Sequence, residues 1–427
     1  MNIMEVSTLA TIILATTIVL FAIDRYPLAL VSVASLLAMV LTGVLPFADA
    51  FKGFSSNLVV LVAGMMVIGS ALFDNNVIGR VGNLIFKHVK GGEKAFLLLM
   101  MTMAAVLSGF LHNISVMAMM TPLAASYVAK SNGEMKLKNF YMALAHATII
   151  GARFTLIGAS PPMLAQSVLL SSEGVERGLG FFELAAVAVP VFIVVLLCYH
   201  FFLYRIGNRV FDHTKTNEVN TNVESKDIPI WKTWVTGIVM VVVAVCFVFV
   251  DAVPLGVIAM TGACVLMFTG CASWKESLKK LDWSTLIILA CTDGITACFS
   301  LTGLGDIIVD FLTRVGAGTS SPFLLVVIFS FVTAWASNVL ANSSATVIFS
   351  SLAVSVALGL GMDPIPLVVA VVFGGAFDFI MPTATSTLTM SCAAGYSFRD
   401  YAVVGGILSP ICCATSALVI GLVYHLI

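Results

Sequence analysis

The chain has 427 residues, of which 60% are hydrophobic and 10% are charged, with a formal net charge of -1. Soluble domains carry about 25% charged residues, so this composition excludes a water-soluble enzyme, a disordered chain and a secreted disulfide scaffold. The near-zero net charge also excludes nucleic-acid binding through a basic surface. An apolar chain of this length must satisfy its backbone inside lipid, which predicts an all-α integral membrane protein.

Eight apolar stretches approach the roughly 20 residues that a membrane-crossing helix needs. They lie at 7–23, 28–45, 57–73, 181–204, 233–250, 255–270, 284–300 and 402–425.

Four further apolar stretches are interrupted by polar or helix-breaking residues. Polar residues in the middle of 95–129 and 321–357 predict two re-entrant hairpins. Gly, Pro, Ser and Thr at the centres of 140–170 and 365–393 predict two discontinuous helices. Such backbone is tolerated at membrane depth only where it is buried in protein or lines a wet cavity.

The basic residues predict the orientation of the chain. With an outside N-terminus, ten crossings and two hairpins, 17 Lys and Arg side chains face the cytoplasm, and Lys52, Arg177 and Arg314 face outside. Cytoplasmic segments carry the excess of positive charge. We therefore predict a plasma (inner) membrane protein with its N-terminus outside and a polar cytoplasmic linker at 206–230.

The chain predicts an inverted repeat, with one copy in 1–205 and the other in 231–427. Pro27 and Pro254 each precede an apolar span, and Gly43 follows Pro27 at the same distance as Gly270 follows Pro254. Each half contains five crossings and one hairpin, and an odd number of crossings turns the second half upside down. Secondary transporters with this architecture bind their substrate at the midplane between the repeats.

The hairpin tips and helix breaks carry the candidate binding residues. Asn113 and Asn342 lie at the two tips, and the breaks at 154–162 and 381–389 provide the other walls. Helix N-termini at these points can face an anion, while helix C-termini and free carbonyls can face a cation. The alternative role for the two asparagines is helix packing.

These motifs resemble those of the divalent anion/sodium symporter family of the ion transporter superfamily. Members carry a Ser-Asn-Thr motif at each tip and a Gly-Thr-Pro-Pro-Asn-like stretch in each broken helix. Here the tips read Ser108 with HNIS (112–115) and Ser337 with ANSS (341–344), and the breaks read TLIGASPP (155–162) and MPTATST (381–387). The resemblance implies a homodimeric, elevator-type transporter of dicarboxylates, tricarboxylates or sulfate, and not an enzyme.

The resemblance also implies the site residues. One sodium site would be formed by Ser108, Asn113 and Gly158, and the other by Ser337, Asn342 and Ala384. The residues expected to touch the anion are Asn113, Ser160, Asn342, Ser343, Thr385 and Ser386. The chain departs from the family pattern at His112, where a serine is usual, at Ile114, which replaces a threonine, and in the second break, which lacks Pro-Pro-Asn.

Three charged residues fall inside apolar stretches, namely Arg153, Asp293 and Asp378. A charge at mid-bilayer costs about 2.5–3.5 kcal/mol on insertion scales, so it is retained where it is paired or wetted. Arg153 either attracts the anionic substrate, since its planar cation suits a carboxylate, or pairs with Asp378 or Asp293.

The coupling ion has two candidates. Sodium follows from the resemblance, whereas His112, His146, Asp293 and Asp378 could carry a proton instead. No other cofactor is implied, and the expected partners are a small anionic substrate, the lipid bilayer and a second copy of the chain.

Other functions remain as alternatives. An oxyanion or metalloid permease, or a sodium/proton antiporter, of the same superfamily would have a similar fold. An intramembrane enzyme would need a catalytic serine or paired-aspartate motif, which the sequence lacks. A channel is disfavoured because a matched inverted pair of repeats favours alternating access.

Overall fold

Apolar helices follow one another along both halves of the chain in the computed structural model. It describes residues 3–23, 25–77, 80, 92–130, 135–206, 228–250, 252–301, 321–338, 340–382 and 384–426, and no strand occurs among them. Arg314 and residues 207–227 of the predicted linker lie outside the described residues.

The helices of the first half are α1 (Ile3–Ile23), α2 (Leu28–Leu41), α3 (Asn57–Asp74), α4 (Glu93–Ser108), α5 (Asn113–Lys130), α6 (Tyr141–Gly151), α7 (Ser160–Ser171) and α8 (Ala185–Cys198). Those of the second half are α9 (Ile230–Phe249), α10 (Leu255–Phe268), α11 (Trp283–Leu301), α12 (Pro322–Ser337), α13 (Asn342–Gly359), α14 (Ile365–Gly374), α15 (Ser386–Ser391) and α16 (Phe398–Val423). Two short helices, Phe47–Ala50 and Trp274–Lys280, lie before α3 and α11, and α8 continues through a π-helical turn, Tyr199–Leu203.

Equivalent sequence signals begin and end α2 and α10. Pro27 and Pro254 precede the two helices with φ of -54° and -56°. Gly43 and Gly270 follow them with φ of +72° and +71°, a left-handed conformation that glycine adopts because it has no Cβ. The two helices therefore end in the same way although they lie in different halves of the chain.

The interrupted stretches form helix pairs. α4 and α5 are separated by residues 109–112, and α12 and α13 by residues 338–341. The breaks between α6 and α7 and between α14 and α15 are longer, at 152–159 and 375–385. Every residue of α6 and α14 is buried, so these two helices form the centre of the molecule.

The helix contacts of the two halves correspond when helix numbers are shifted by eight. The contact of α3 with α10 corresponds to that of α11 with α2. The contact of α4 with α6 corresponds to that of α12 with α14, and the contact of α5 with α15 corresponds to that of α13 with α7. Two packed sets result. We call α1–α3 with α9–α11 the outer group, and α4–α8 with α12–α16 the hairpin group. The opposite orientation of the second half in the membrane stays a prediction.

Five described helical segments are long and apolar enough to cross a membrane alone, namely α3, 185–206, 230–247, α13 and α16. The segment Trp274–Lys280 and α11, which are bent by 68°, could form a sixth span. The sequence predicts ten crossings, and the number is lower here because α2, α10 and α14, which belong to predicted crossings, are apolar but have 10–17 residues. A broken helix such as α6 with α7 crosses only as a pair, since each part covers about half of the hydrocarbon layer.

Two glycines bring each hairpin close to the broken helix of its own half. A Cβ on Gly151, at the end of α6, would lie 2.2 Å from the carbonyl oxygen of Ala105 in α4. A Cβ on Gly374, at the end of α14, would lie 2.4 Å from the carbonyl oxygen of Ser330 in α12. Both clashes are with backbone, which cannot rotate away.

We therefore expect Gly151→Ala and Gly374→Ala each to destabilise the protein by about 1–3 kcal/mol, because overpacking forces helices apart. Thermal unfolding in lipid nanodiscs measures the effect. Gly406→Ala is the matched control, since a Cβ on this helical glycine of α16 would meet nothing within 4 Å. Equal melting temperatures for all three variants would contradict the close packing.

Candidate substrate and cation site

Four helices begin at residues that the sequence predicts to touch the anion. Asn113 is the first residue of α5, Ser160 of α7, Asn342 of α13 and Ser386 of α15. The first N–H groups of a helix have no partner within the helix, and the helix dipole favours negative charge there. α5, which follows the first tip, packs on α15, and α13, which follows the second tip, packs on α7. Each tip is therefore joined to the helix break of the other half.

The first predicted cation site is a cluster of backbone oxygens around Gly158. A Cβ on Gly158 would lie 2.4 Å from the carbonyl oxygen of Ser108 and 2.5 Å from that of Ala152. The Ser108 hydroxyl donates to the carbonyl oxygen of Thr148 at 2.8 Å, which ties the end of α4 to α6. Hard cations prefer oxygen ligands, so the donor set fits sodium. The structure thus brings Ser108 and Gly158 together.

Thr155 belongs to the same cluster although the sequence did not single it out. Its hydroxyl donates to the carbonyl oxygen of Gly109 and accepts from the Ile157 N–H at 3.2 Å. It therefore links the first tip to the first break.

The second predicted cation site is assembled differently. The Ser337 hydroxyl donates to Thr333 in its own helix at 2.8 Å and lies 3.5 Å from where a Cβ on Gly375 would sit. Ala384 donates its N–H to the carbonyl oxygen of Met381 within the break. Among the described contacts, none joins Ser337 directly to Ala384.

Arg153 and Asp378 are the buried charges of the site. Arg153 is 1% exposed and Asp378 is 0% exposed, and the two interact electrostatically. The Arg153 Nη1 donates to the carbonyl oxygen of Ile149 at 2.7 Å, and the side chain of Asn342 lies beside the Asp378 carboxylate. In the described part of the chain, neither carboxylate oxygen nor the Arg153 Nε has a hydrogen-bond partner of ordinary geometry. The pair thus keeps hydrogen-bonding capacity for a bound solute or proton.

The remaining predicted anion ligands make local contacts. The Asn113 side-chain oxygen accepts from the N–H of Ile114 at 3.1 Å. The Thr385 hydroxyl caps α15 by accepting from the Leu388 N–H at 3.3 Å. Ser343 is half-buried and Ser386 is exposed. No described contact joins Asn113 directly to Asn342.

A cavity of about 450 Å³ reaches the first tip, and we call it the tip-one cavity. Its polar lining is formed by Ser70, His112, Ser115, Lys280 and Asp282. Asp282 interacts electrostatically with His112, whereas Lys280 pairs with Asp74 at 2.5 Å. His112 therefore faces an open cavity and a carboxylate of the outer group.

Asp293 lies elsewhere than Arg153. Its Oδ1 accepts from Ser171 at 2.5 Å and from Ser167 at 3.1 Å, both near the far end of α7. It lines a second cavity of about 660 Å³ together with Lys52 and Glu173. Of the two expected partners, Asp378 is the one that interacts electrostatically with Arg153, although no ion pair within 4.0 Å joins these two described residues.

Two polar contacts near the site were not foreseen. Ser160 hydrogen-bonds Thr285 of α11 at 2.9 Å, and His146 Nδ1 bonds the Tyr199 hydroxyl at 2.7 Å. The first contact had a signal in the sequence. Ser160, Ser167 and Ser171 are spaced so that they share one face of a helix, which marks a polar stripe.

Similar proteins are membrane transporters. The model of the family CitMHS, described as citrate transporter, matches residues 18–374. An uncharacterized transporter of Haemophilus influenzae is 23% identical over 411 residues, which span 92% of this chain and 86% of that protein. The Escherichia coli uncharacterized transporter YfbS is 30% identical over 185 residues, which are 43% of this chain and 30% of that protein. Sodium/sulfate cotransporter 1 of Chlamydomonas reinhardtii is 27% identical over 148 residues, 34% of this chain and 17% of that protein.

Two solved structures share the fold. The Alcanivorax borkumensis YdaH transporter has a TM-score of 0.66 at 15% identity, covering 98% of this chain and 97% of that one. Neisseria gonorrhoeae MtrF, described with a class of antimetabolite efflux pumps, has a TM-score of 0.62 at 13% identity, covering 97% and 94%. The predicted all-α transporter fold is confirmed.

Because the family model matches most of its length, the chain belongs to the citrate transporter family, in agreement with the predicted resemblance to divalent anion/sodium symporters, and it is an integral membrane transporter rather than an enzyme.

Proposed function

We propose that this protein is a secondary active transporter that carries a di- or tricarboxylate anion, such as citrate, together with Na⁺ or H⁺. The observation that carries the proposal is a set of three helices that begin at Asn113, Ser160 and Asn342. The helix after each hairpin tip packs on the helix after the break of the other half. Unpaired N–H groups at such termini bind carboxylate oxygens. Arg153 adds a buried cation whose planar fork matches a carboxylate.

Two features support cation coupling. The carbonyl oxygens around Gly158 suit Na⁺, whereas the Asp378 carboxylate, whose oxygens have no hydrogen-bond partner of ordinary geometry, suits a proton. Either ion lowers the energy needed to bring a multiply charged anion into a low-dielectric site, because opposite charges attract strongly there. Either cation would therefore bind together with the anion.

The proposed movement is a displacement of the hairpin group against the outer group. The tip-one cavity opens beside Lys280, which the charge distribution predicts to be cytoplasmic. In this conformation the tip-one cavity would thus be open to the cytoplasm, and the movement would carry the two hairpin tips toward the outer face of the membrane.

A homodimer held by the outer group fits its exposed apolar side chains. The large ones on α9 and α10 include Trp234, Val241, Phe249, Val257 and Phe268. The predicted dimer-forming stretches are 7–45 and 233–270. Native mass spectrometry from lipid nanodiscs tests this assembly.

Sulfate or another oxyanion is the second candidate substrate, which the partial match to the sodium/sulfate cotransporter favours. The same helix N-termini would bind it. A sodium/proton antiporter would need no anion at all. Competition of sulfate against citrate uptake separates the first two candidates, and cation exchange without any anion identifies the third.

We expect Asn113→Ala and Asn342→Ala each to abolish citrate uptake into proteoliposomes, because each removes the amide at a helix start. Thr261→Ala is the control, since the Thr261 hydroxyl donates to Val257 within its own outer-group helix. Size-exclusion profiles should match for all three variants. Normal uptake in both asparagine variants would refute the site.

We expect Asp378→Asn to remove citrate uptake that is driven by a pH gradient alone, because the buried carboxyl could no longer bind and release a proton. Uptake is measured with a pH gradient and with a sodium gradient, each applied separately. Sodium-driven uptake that is unchanged in Asp378→Asn would refute the proton role and assign the coupling to sodium.

The electrostatic interaction between Arg153 and Asp378 predicts a non-additive effect on stability. Arg153→Gln and Asp378→Asn should each destabilise the protein by about 3–5 kcal/mol, because each leaves one buried charge without its partner. The double variant should lose less than the sum of the two, as measured by thermal unfolding. It should still lack citrate uptake if Arg153 binds the anion. Additive losses would show that the two charges do not interact.

A further inference from the structure

Polar contacts join the hairpin group to the outer group along one seam, which is formed by α7 and α11. At one end, Ser160 of α7 hydrogen-bonds Thr285 of α11 at 2.9 Å. At the other end, the Oδ1 of Asp293 in α11 accepts from Ser171 at 2.5 Å and from Ser167 at 3.1 Å. If the hairpin group slides during transport, as the proposed function requires, these bonds must break, and the inference rests on that movement.

The outer group packs closely around Asp293. The turn around Gly53 packs against α11 so tightly that a Cβ on Gly53 would lie 3.1 Å from the Asp293 Cγ and 2.3 Å from the Ala290 carbonyl oxygen. Hydrogen bonds to a charged group are stronger than those between neutral groups.

The corresponding seam of the other half is open. α11 of the second half corresponds to α3 of the first half. α7, which packs on α11, corresponds to α15, and α13, which also packs on α11, corresponds to α5. α11 packs on both α7 and α13, whereas α3 has no comparable contact with α5 or α15 among the described helices. The tip-one cavity lies between α3 and the tip that precedes α5.

The open seam has no carboxylate at the position that corresponds to Asp293. When the two halves are aligned on the prolines that begin α2 and α10, Met66 falls opposite Asp293 and Leu58 opposite Thr285. After movement to the other face, α3 would meet the hairpin group with apolar Met66 at the position where α11 has Asp293. The hydrogen bonds to the Asp293 carboxylate therefore belong to one conformation of the carrier.

We propose that Asp293 is a one-sided latch, which bonds Ser167 and Ser171 across the α7–α11 seam and makes the conformation with the open tip-one cavity the resting state. Asp293 then sets the balance between the two faces and is not a proton carrier. In the other conformation the seam is open along its length, so that Leu164, which is 0% exposed here, meets water.

Labelling of a seam residue tests the latch. Ser160, Leu164, Ser167 and Ser171 share one face of α7, and Leu164 is 0% exposed. A Leu164→Cys protein in lipid nanodiscs is treated with a water-soluble maleimide, and the labelling rate at residue 164 is read by site-resolved mass spectrometry, which separates it from native cysteines. The rate reports how often the seam opens.

We expect Asp293→Ala and Ser171→Ala each to raise the labelling rate at residue 164 roughly tenfold, since each removes a hydrogen bond to a charged group. Ser172→Ala is the matched control. Ser171 lies 2.6 Å from the Ser167 carbonyl oxygen as well as bonding Asp293, whereas Ser172 donates to the Val168 carbonyl oxygen at 2.7 Å. The control variant should label as slowly as the Leu164→Cys protein.

Two results would overturn the latch. One is an unchanged labelling rate in both Asp293→Ala and Ser171→Ala, and the other is an equal rise in Ser172→Ala, which would indicate general loosening of α7. The labelling needs no substrate, so an absence of citrate transport would refute the proposed function and leave this test intact.

Discussion

Helices that stop inside a membrane leave backbone N–H and C=O groups without partners, and the architecture depends on where these groups are placed. Lipid offers them no hydrogen bonds, so they must be buried in protein or face a polar solute. Here the interrupted helices α6 and α14 are wholly buried, and the helices of the hairpin group surround them. The ends of α6 and α14 are thereby placed in the interior of the protein, away from lipid.

The same constraint explains the glycines at the site. Backbone oxygens can approach Gly158 closely only because no side chain stands in the way, and Gly151 and Gly374 allow α4 and α12 to touch the broken helices. Close backbone approach is thus repeated in both halves. It makes each hairpin and its broken helix one packed unit, as the proposed movement of the hairpin group requires.

Much of the fold followed from the sequence because helix breaks carry local signals. The helix starts at Asn113 and Asn342 lie at predicted tips, since polar residues interrupt apolar runs there. The left-handed glycines Gly43 and Gly270 fall at equal distances from their prolines. Boundaries were less accurate. α16 begins at Phe398 rather than near 402, because Ser397 and Asp400 form a capping box before the apolar run.

The partners of the polar side chains could not be predicted in the same way. Ser160, Ser167 and Ser171 bond residues that lie 122 to 126 positions further along the chain, and the sequence does not say which helix faces meet. For Arg153 two acidic partners remained open, and packing alone distinguishes Asp378 from Asp293. Local chemistry thus indicates which residues matter, whereas tertiary contacts decide what each one does.

The pairing of Lys280 with Asp74 has a consequence for how quickly a solute enters. Lys280 is neutralised by Asp74, and Asp282 stands beside it, so the rim of the tip-one cavity offers no net attraction to an anion. Charge-steered encounters are accelerated by complementary potentials and slow down as salt is added. Under the proposed function, anion entry from this face should therefore change little with ionic strength.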